Sequence, residues 1–428
     1  MSTFEPAEAY VRQNAGRAVE NLRRFVEIDT SFPGQPDYAA FADAVEPVLH
    51  ELGLKTRRHL VPEALWRSRD VRVASERVNV VATGCSAQED LGLYFHVDTV
   101  PPAEGWQSDP FVLEQHDDRL VGLGAADTKG PMAAALLALE AARVCGLRMR
   151  YNPVLLFCTD EEGGLYPGVR YLAEQGQVPP LTINFNGTPE ARIWAGCFGL
   201  FNLRIRLFGH TTHAGAAGAA RNAVEGGVRV QAALLELAAN VRARKSAMPA
   251  PPYAKGEPLR PSLSIMAVSG GTGSGGQIPS IMDIAVSRRY APEERFDDIF
   301  AEIEIAVRES VPAGLLCQID MTGHLCPTSD PYGPHWPRWQ AAVARGFGHA
   351  PDTFRRWGSS SCSDFGWVQK ATQRSEVLLG GLIRPESRVH SPGEFTTVPD
   401  LVSLSITILS FLSEECDEAS FVADKGER

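Results

Sequence analysis

Residues 91–98 read LGLYFHVD, an apolar run that ends in a histidine and an aspartate. Two similar β-rich apolar runs lie at residues 78–83 (VNVVAT) and 153–158 (PVLLFC), and such runs are typical of strands that are buried on both faces of a sheet. Between the runs that begin at 91 and 153, the Ala- and Leu-rich stretch 131–144 predicts a helix with a proline in its first turn, where proline is well tolerated. This alternation of strands and helices predicts an α/β fold.

A second pattern begins near residue 200. Apolar and polar residues alternate from 201 to 207, as in a half-exposed strand, and two more alternating segments and two helical stretches follow. This β-α-β-β-α order, with one apolar face, predicts a small α+β sandwich that is inserted into the larger domain. We predict a discontinuous catalytic domain at residues 1–198 and 312–428, with the inserted domain at residues 199–311.

Bulk composition disfavours several classes of protein. The chain of 428 residues is long enough for two domains, and its 44% hydrophobic and 22% charged residues are typical of a globular enzyme. Its net charge of −11 disfavours a nucleic-acid or anionic-membrane partner, and the sequence contains no apolar run of the roughly 18 residues that a membrane span needs. The N-terminus lacks the pattern of a secretion signal, and the eight scattered cysteines form no CxxC pair. We therefore expect a cytoplasmic protein without disulfides or structural zinc.

Two motifs in the first half of the chain could bind a metal ion. His96 and Asp98 follow an apolar strand and point to the same side of it, so His96 could be a ligand while Asp98 accepts the other ring N–H. Asp127, in the Gly-rich turn GLGAADTKGPM, could bridge two cations with its two oxygens. The alternatives are a buried histidine with an ion-pair partner and an aspartate that caps a helix.

Two further motifs lie at or beyond strand ends, where open α/β sheets bind their ligands. Asp160, Glu161 and Glu162 follow the run at 153–158 after a single threonine, Thr159, and three consecutive acids there are costly unless cations neutralise them. One carboxylate could bind a metal ion while its neighbour acts as general base. His390, in the motif VHSPGE, is the second credible imidazole ligand. The alternatives are a solvated acidic turn and an ordinary loop histidine.

Taken together, these motifs resemble a known family. The chain is similar to the zinc aminoacylases and carboxypeptidases of peptidase family M20, which include acetylornithine deacetylase, succinyl-diaminopimelate desuccinylase and glutamate carboxypeptidase. The resemblance covers nearly the whole chain, through the motifs LYFHVDTVPPAEGW, GLGAADTKGPMAA, TDEEGG, GHTTHAGAAGAARNAVEGG, SRRYAPEERFDD, SCSDFGWV and RVHSPGE. It implies an α/β catalytic domain of the di-zinc exopeptidase type and an inserted α+β domain of the ferredoxin-like type, which serves as a lid and dimerisation domain.

The resemblance also implies a set of metal ligands. His96 would bind one metal ion, Glu162 and His390 would bind the other, and Asp127 would bridge the two. Asp98 would orient the ring of His96.

Further roles follow from the same resemblance. Glu161 would be the base that deprotonates the bridging water and later protonates the leaving amine. His213 would stabilise the tetrahedral oxyanion, often across a dimer. Arg289 would pair with a substrate carboxylate, although a structural ion pair is an equal alternative, and Asn222 is expected to contact the substrate.

One position departs from the family pattern. Asn186 lies where the family has a Glu or Asp that binds the metal ion on the His96 side. An amide oxygen can coordinate a hard cation, but it is neutral and binds zinc less strongly than a carboxylate does. Asn184 or Glu190 could take this place in a shifted register. A single metal ion held by Asp127, Glu162 and His390 is the alternative to a two-metal site.

We therefore predict an enzyme that hydrolyses the amide bond of an N-acyl amino acid or small peptide, with metal-bound hydroxide as the nucleophile and Glu161 as the general base. The predicted cofactor is Zn²⁺, one or two ions per chain, with Co²⁺ or Mn²⁺ as alternatives. The resemblance implies a homodimer through the inserted domain. The alternative function is a metal-poor paralogue that binds ligands or forms amides. A cysteine hydrolase that uses Cys158 or Cys362 has little support.

Overall fold

The computed structural model describes residues 2–32, 34, 36–67, 75–215, 221–271 and 275–416. Residues 216–220, which belong to the motif GHTTHAGAAGAARNAVEGG, lie outside these ranges. The chain divides into two compact units. Their bounds are Met1–Ala195, Asp330–Trp357 and Trp367–Arg428 for the first unit, and Gly196–Ser329 and Gly358–Gly366 for the second.

Helices and strands follow one another along most of the chain. The helices are α1 (Phe4–Gln13), α2 (Ala15–Val26), α3 (Tyr38–Glu51), α4 (Glu63–Trp66), α5 (Lys129–Val144), α6 (Gly168–Glu174), α7 (Ala223–Ala243), α8 (Phe296–Ser310), α9 (Trp336–Phe347), α10 (Phe365–Thr372) and α11 (Val398–Leu412). The strands are β1 (Lys55–Leu60), β2 (Val78–Thr83), β3 (Glu89–His96), β4 (Glu114–His116), β5 (Arg119–Val121), β6 (Tyr151–Cys158), β7 (Leu181–Asn184), β8 (Arg192–Phe208), β9 (Ser262–Gly270), β10 (Ile281–Tyr290), β11 (Leu316–Leu325), β12 (Thr328–Ser329), β13 (Arg355–Cys362), β14 (Leu378–Leu379) and β15 (Phe395–Thr397). Among the described helices, none combines the length and apolar character needed to cross a bilayer.

The main sheet of the first unit has six strands in the order β1-β2-β6-β3-β7-β14. β6, β3, β7 and β14 are parallel, whereas β2 pairs antiparallel with β6 and with β1. The carboxyl ends of the four parallel strands lie at one edge of the sheet, where His96 pairs with Cys158, and Asn184 pairs with both Tyr94 and Leu379. The segments that follow these strands therefore begin at the same edge.

The apolar runs of the sequence form the centre of this unit. The strands predicted at 78–83, 91–96 and 153–158 are confirmed as β2, β3 and β6, and every residue of β6 is buried. The helix predicted at 131–144 is confirmed as α5. α5 is buried along most of its length because α1, α2 and α11 pack against it. This packing fixes the start of α5, which follows directly on the turn that carries Asp127.

The second unit contains an antiparallel sheet in the order β11-β8-β10-β9. Apolar side chains of α7 and α8 pack with those of the strands in one continuous cluster, which confirms the predicted α+β pattern. The inserted domain was predicted to end at residue 311, but the second unit extends beyond it. The reason is that β11 pairs with β8 along most of the length of β11. Most residues of β11 are only partly buried, so the apolar signal that marks the other strands is weak there.

Candidate metal centre and active site

The predicted ligands and base come from four segments at the carboxyl edge of the main sheet. His96 is the last residue of β3, and Glu161 and Glu162 lie in the turn after β6. His390 lies in the segment after β14, and Asp127 lies in the turn before α5. The structure brings all five side chains together, although they are far apart in the sequence.

One donor group consists of Asp127, Glu162 and His390, whose ligand atoms lie within 4.8 Å of one another. Nε2 of His390 is 3.0 Å from Oε1 of Glu162 and 3.4 Å from Oδ2 of Asp127. The two carboxylate side chains are each only 7% exposed, whereas that of His390 is 49% exposed. This group therefore combines buried negative charge with an open side from which a substrate can approach.

A second donor group consists of His96, Glu161 and Glu162. Nε2 of His96 is 2.8 Å from Oδ1 of Asp127. The two oxygens of Asp127 thus contact one histidine of each group, the position expected of a bridging carboxylate.

The ring of His96 is oriented by the main chain and not by the predicted carboxylate. Nδ1 of His96 donates to the carbonyl oxygen of Asp98 at 2.9 Å, whereas the carboxylate oxygen Oδ1 of Asp98 is 3.9 Å away. This hydrogen bond places the ring proton on Nδ1 and leaves Nε2 to a ligand. The other carboxylate oxygen of Asp98 accepts the N–H of Glu162 at 2.8 Å, and burial raises the pKa of Asp98 to about 7.

The electrostatics of the site favour positive charge. Burial alone would lower the pKa of His96, but the charges of Asp127 and Glu161 outweigh burial and raise this pKa well above its usual value. Burial also opposes protonation of His390, yet its hydrogen bonds to Asp127 and Glu162 raise its pKa to about 11. The surrounding carboxylates thus stabilise a cation at the points where the two imidazoles face them.

This donor set fits a metal ion. Imidazole nitrogens and carboxylate oxygens are the ligands of catalytic zinc, and Co²⁺ and Mn²⁺ accept the same types of ligand. The ring proton of neutral His96 lies on Nδ1, which donates to the carbonyl oxygen of Asp98. Nε2, the nitrogen that faces Asp127, therefore carries no proton. Two acceptors therefore face each other at 2.8 Å, an arrangement that is stable only when a proton or a metal cation compensates them. In addition, Oδ1 of Asp98 is buried without a hydrogen-bond partner.

Asn186 lies in the turn after β7, at the same edge of the sheet. Its side chain is half-buried, and its backbone N–H donates to Oδ1 of Asn184 at 2.8 Å. In the described part of the chain, neither donor group takes a carboxylate from this turn. Cys158, the alternative nucleophile, is fully buried at the end of β6 and out of reach of a substrate.

Three other predicted residues lie in the second unit. His213 is exposed, and its Nδ1 accepts a nearby backbone N–H at 3.1 Å. Asn222 caps α7, because its Oδ1 accepts two backbone N–H groups of the first turn. Arg289 is exposed and donates from Nη1 to the carbonyl oxygen of Ser360 and to Sγ of Cys362. The roles of these three residues towards a substrate stay predictions.

Glu394, the last residue of the motif VHSPGE, is a further functional residue that was not predicted from the sequence. Its buried carboxylate accepts the backbone N–H groups of Ala126 and Asp127 at 3.0 and 3.2 Å, and burial raises its pKa to about 8. Glu394 thus ties the segment of His390 to the turn that carries Asp127. The signal that could have identified it is a carboxylate four residues after a candidate ligand, within one motif.

The chain is similar to a known protein family and to characterised enzymes. Residues 92–414 match the model of peptidase family M20/M25/M40. The chain is 30% identical to a succinyl-diaminopimelate desuccinylase of Acidiphilium cryptum (strain JF-5) over 290 residues, which are 66% of this chain and 73% of that protein. It is 31% identical to an acetylornithine deacetylase of Klebsiella pneumoniae (strain 342) over 172 residues, 37% of this chain and 42% of that protein.

A solved structure shows the same fold. The dipeptidase Dug1p from Saccharomyces cerevisiae matches with a TM-score of 0.77 at 17% identity, and the match covers 96% of this chain and 98% of that chain. The family match extends over most of the chain, and its residues include both donor groups. The chain therefore belongs to peptidase family M20/M25/M40 and is a metal-dependent amidohydrolase.

Proposed function

We propose that the protein hydrolyses the amide bond of an N-acylated amino acid or a small peptide, with zinc as its metal. The observation that carries this proposal is the position of Asp127, whose two oxygens contact His96 and His390 beside a pair of consecutive glutamates. Such a site can hold either one or two cations and keeps a carboxylate next to them for proton transfer.

Metal binding and proton transfer are assigned to different residues of the site. Metal held by Asp127, Glu162 and His390, with His96 as a ligand on the side of a second ion, would polarise the substrate carbonyl and activate a water molecule for attack. Glu162 takes part in both donor groups, which suits a ligand. Glu161 takes part only in the group on the His96 side, so it remains the candidate that accepts the proton of the attacking water and returns it to the leaving amine.

The names of the relatives narrow the proposed substrate. The two curated relatives are named for the removal of a succinyl and an acetyl group from an amino acid. We propose a short acyl group on the amine of an amino acid as the first substrate class to test, with dipeptides as the second. His213 as oxyanion stabiliser, and Arg289 and Asn222 as substrate contacts, are further parts of this proposal.

A screen of N-succinyl and N-acetyl amino acids and dipeptides tests the function. We expect free amine to be released by protein supplied with Zn²⁺ or Co²⁺, and the rate to vanish after treatment with a chelator and to return with added metal. Metal content measured on protein purified without chelator provides an activity-independent control. Protein that binds no metal, and that shows no rate with Zn²⁺, Co²⁺ or Mn²⁺, would contradict the proposal and favour a ligand-binding role.

Asn186 bears on the number of metal ions. We propose that the wild-type chain holds one ion tightly at Asp127, Glu162 and His390, and a second ion more weakly on the His96 side, because the nearby turn offers an amide instead of a carboxylate. In Asn186→Glu we expect the metal content after dialysis against a weak chelator to rise from one to two ions per chain. Asn186→Gln, which keeps the amide, is the matched control and should behave as wild type. Two ions retained equally by all three proteins would contradict the proposal.

We also infer that two chains associate through the second unit. β9 is an edge strand of its sheet, and it exposes Met266 (66%) and Val268 (46%). On α7, Val228 and Leu235 are seven residues apart on one face of the helix, and both are largely exposed. An open strand edge beside exposed apolar side chains is typical of a surface that a second chain covers. As a separate point, we propose that the protein is located in the cytoplasm.

A further inference from the structure

We propose that Arg77 and Tyr38 are positioning residues that act through Asp160 to hold the pair Glu161–Glu162 in place. This inference rests on the proposed function, because it concerns the acids that the function uses. Arg77 lies just before β2 and Tyr38 is the first residue of α3. Neither residue belongs to a motif that the sequence analysis singled out.

Asp160 is the first of the three consecutive acids, and both of its carboxylate oxygens are engaged. Oδ2 accepts from Nε of Arg77 at 2.7 Å, and Oδ1 accepts from the hydroxyl of Tyr38 at 2.8 Å. The side chains of Arg77 and Asp160 are only 1% and 2% exposed, and neither donor group includes Asp160. Asp160 therefore serves as an anchor for the turn, while the two acids after it belong to the metal centre.

The guanidinium of Arg77 is itself fixed in direction. Its central carbon lies 3.9 Å from the ring centroid of Trp66 and 5.6 Å from that of Phe32, and Nη1 donates to the carbonyl oxygen of Ser75 at 2.8 Å. A cation held against aromatic rings and a backbone carbonyl cannot turn without losing these contacts. Arg77 thus presents Nε to Asp160 in one orientation.

The turn that carries the acids is held at three residues: at Thr159 and Glu162 through their backbone N–H groups, and at Asp160 through its side chain. The N–H of Thr159 donates to Oδ1 of Asn79 at 3.0 Å, and the N–H of Glu162 donates to Oδ2 of Asp98 at 2.8 Å. Between them, Asp160 has a φ of +62°, a left-handed conformation that non-glycine residues adopt only when surrounding contacts enforce it. The side-chain contacts of Asp160 supply that enforcement. When they are weakened, the turn loses its middle anchor and the acids lose their fixed positions.

Stability alone is a poor explanation for this ion pair. Buried ion pairs often contribute little compared with apolar side chains of the same size, because both charges are taken out of water. A buried pair next to two reactive carboxylates, however, fixes a backbone to within a fraction of an ångström, which catalysis and metal binding need.

Tyr38→Phe tests the inference, because it removes one hydroxyl and leaves the ring in place. We expect the dissociation constant of Zn²⁺, measured by competition with a chromophoric chelator, to rise about 10-fold, and kcat to fall about 10-fold with little change in KM. The matched control is Tyr10→Phe, which removes a hydroxyl that donates to Glu140 at 2.9 Å among the helices of the same unit. The control should leave both quantities at wild-type values.

Arg77→Lys provides a second variant that keeps the charge. We expect about a 100-fold loss in Zn²⁺ affinity and kcat, because a lysine cannot keep both the contact to Asp160 and the stacking on Trp66. Arg338→Lys is its control, since Arg338 is equally buried and donates to the carbonyl oxygen of Phe411.

The outcomes separate this inference from the proposed function. Wild-type values of Zn²⁺ affinity and kcat in both Tyr38→Phe and Arg77→Lys would overturn the positioning role, and so would equal losses in their controls. If the wild-type protein binds zinc but cleaves no amide, the proposed function fails, and the Zn²⁺ affinities of the variants still decide the positioning role. If Arg77→Lys does not fold, Tyr38→Phe alone decides it.

Discussion

Glu161→Gln is expected to lower kcat by about 10³-fold while the metal content of the protein stays at the wild-type level. The carboxylate of Glu161 lies beside His96 and Glu162, and the amide that replaces it has nearly the same shape but cannot accept a proton at neutral pH. The loss should therefore fall on proton transfer and not on metal binding. Initial rates with the best substrate of the screen and metal analysis of the same sample measure the two effects.

Glu162→Gln is the matched comparison for this experiment. Glu162 contacts His390 at 3.0 Å and takes part in both donor groups, so its variant should lose metal as well as activity. If Glu161→Gln loses metal and Glu162→Gln does not, the two assignments must be exchanged. Full turnover in Glu161→Gln would show that another group transfers the proton.

Asp127→Asn is expected to release the bound metal and to reduce turnover to the level of metal-stripped wild-type protein. Oδ1 of Asp127 is 2.8 Å from His96 and Oδ2 is 3.4 Å from His390, so the variant must present an N–H₂ group to one of the two histidines. It also removes a negative charge that both imidazoles face. Metal content after gel filtration and the initial rate report the two losses, and circular dichroism reports the fold.

Asp117→Asn is the control for the loss of one negative charge. Asp117 is exposed in a turn of the same unit, with a φ of +52° that asparagine adopts readily. This variant should retain metal and activity. If Asp127→Asn also keeps its metal, the aspartate is not a shared ligand and the centre must be held by the two histidines and Glu162 alone.

Much of the first unit could be predicted from its apolar runs. The runs at 91–96 and 153–158 are strands because their residues are buried on both faces, and their parallel pairing places His96 beside Cys158. Segments that follow parallel strands begin at one edge of the sheet. For this reason, motifs that are far apart in the sequence but follow strands of one sheet could be expected to place their side chains close together.

Other contacts could not be predicted from a single sequence. Arg77 and Asp160 are 83 residues apart, and their pairing depends on how the start of β2 approaches the turn after β6. The carbonyl of Asp98, and not its carboxylate, accepts the His96 N–H, because the backbone turns just after the strand ends. Residue spacing predicts which side of a strand a side chain occupies, but it does not predict which of two oxygens in the same residue lies closer.

The first unit takes its strands from both ends of the chain, and this order has a consequence for biosynthesis. A ribosome that has reached Ser329 has already delivered β3, β6 and β7 with the donor group of His96, but neither β14 nor His390. Parallel pairing of β14 (Leu378–Leu379) with β7 (Leu181–Asn184) must await synthesis of the long segment between them. A nascent polypeptide that ends before His390 therefore lacks one imidazole of the centre, so hydrolytic competence arises only after that residue has been added.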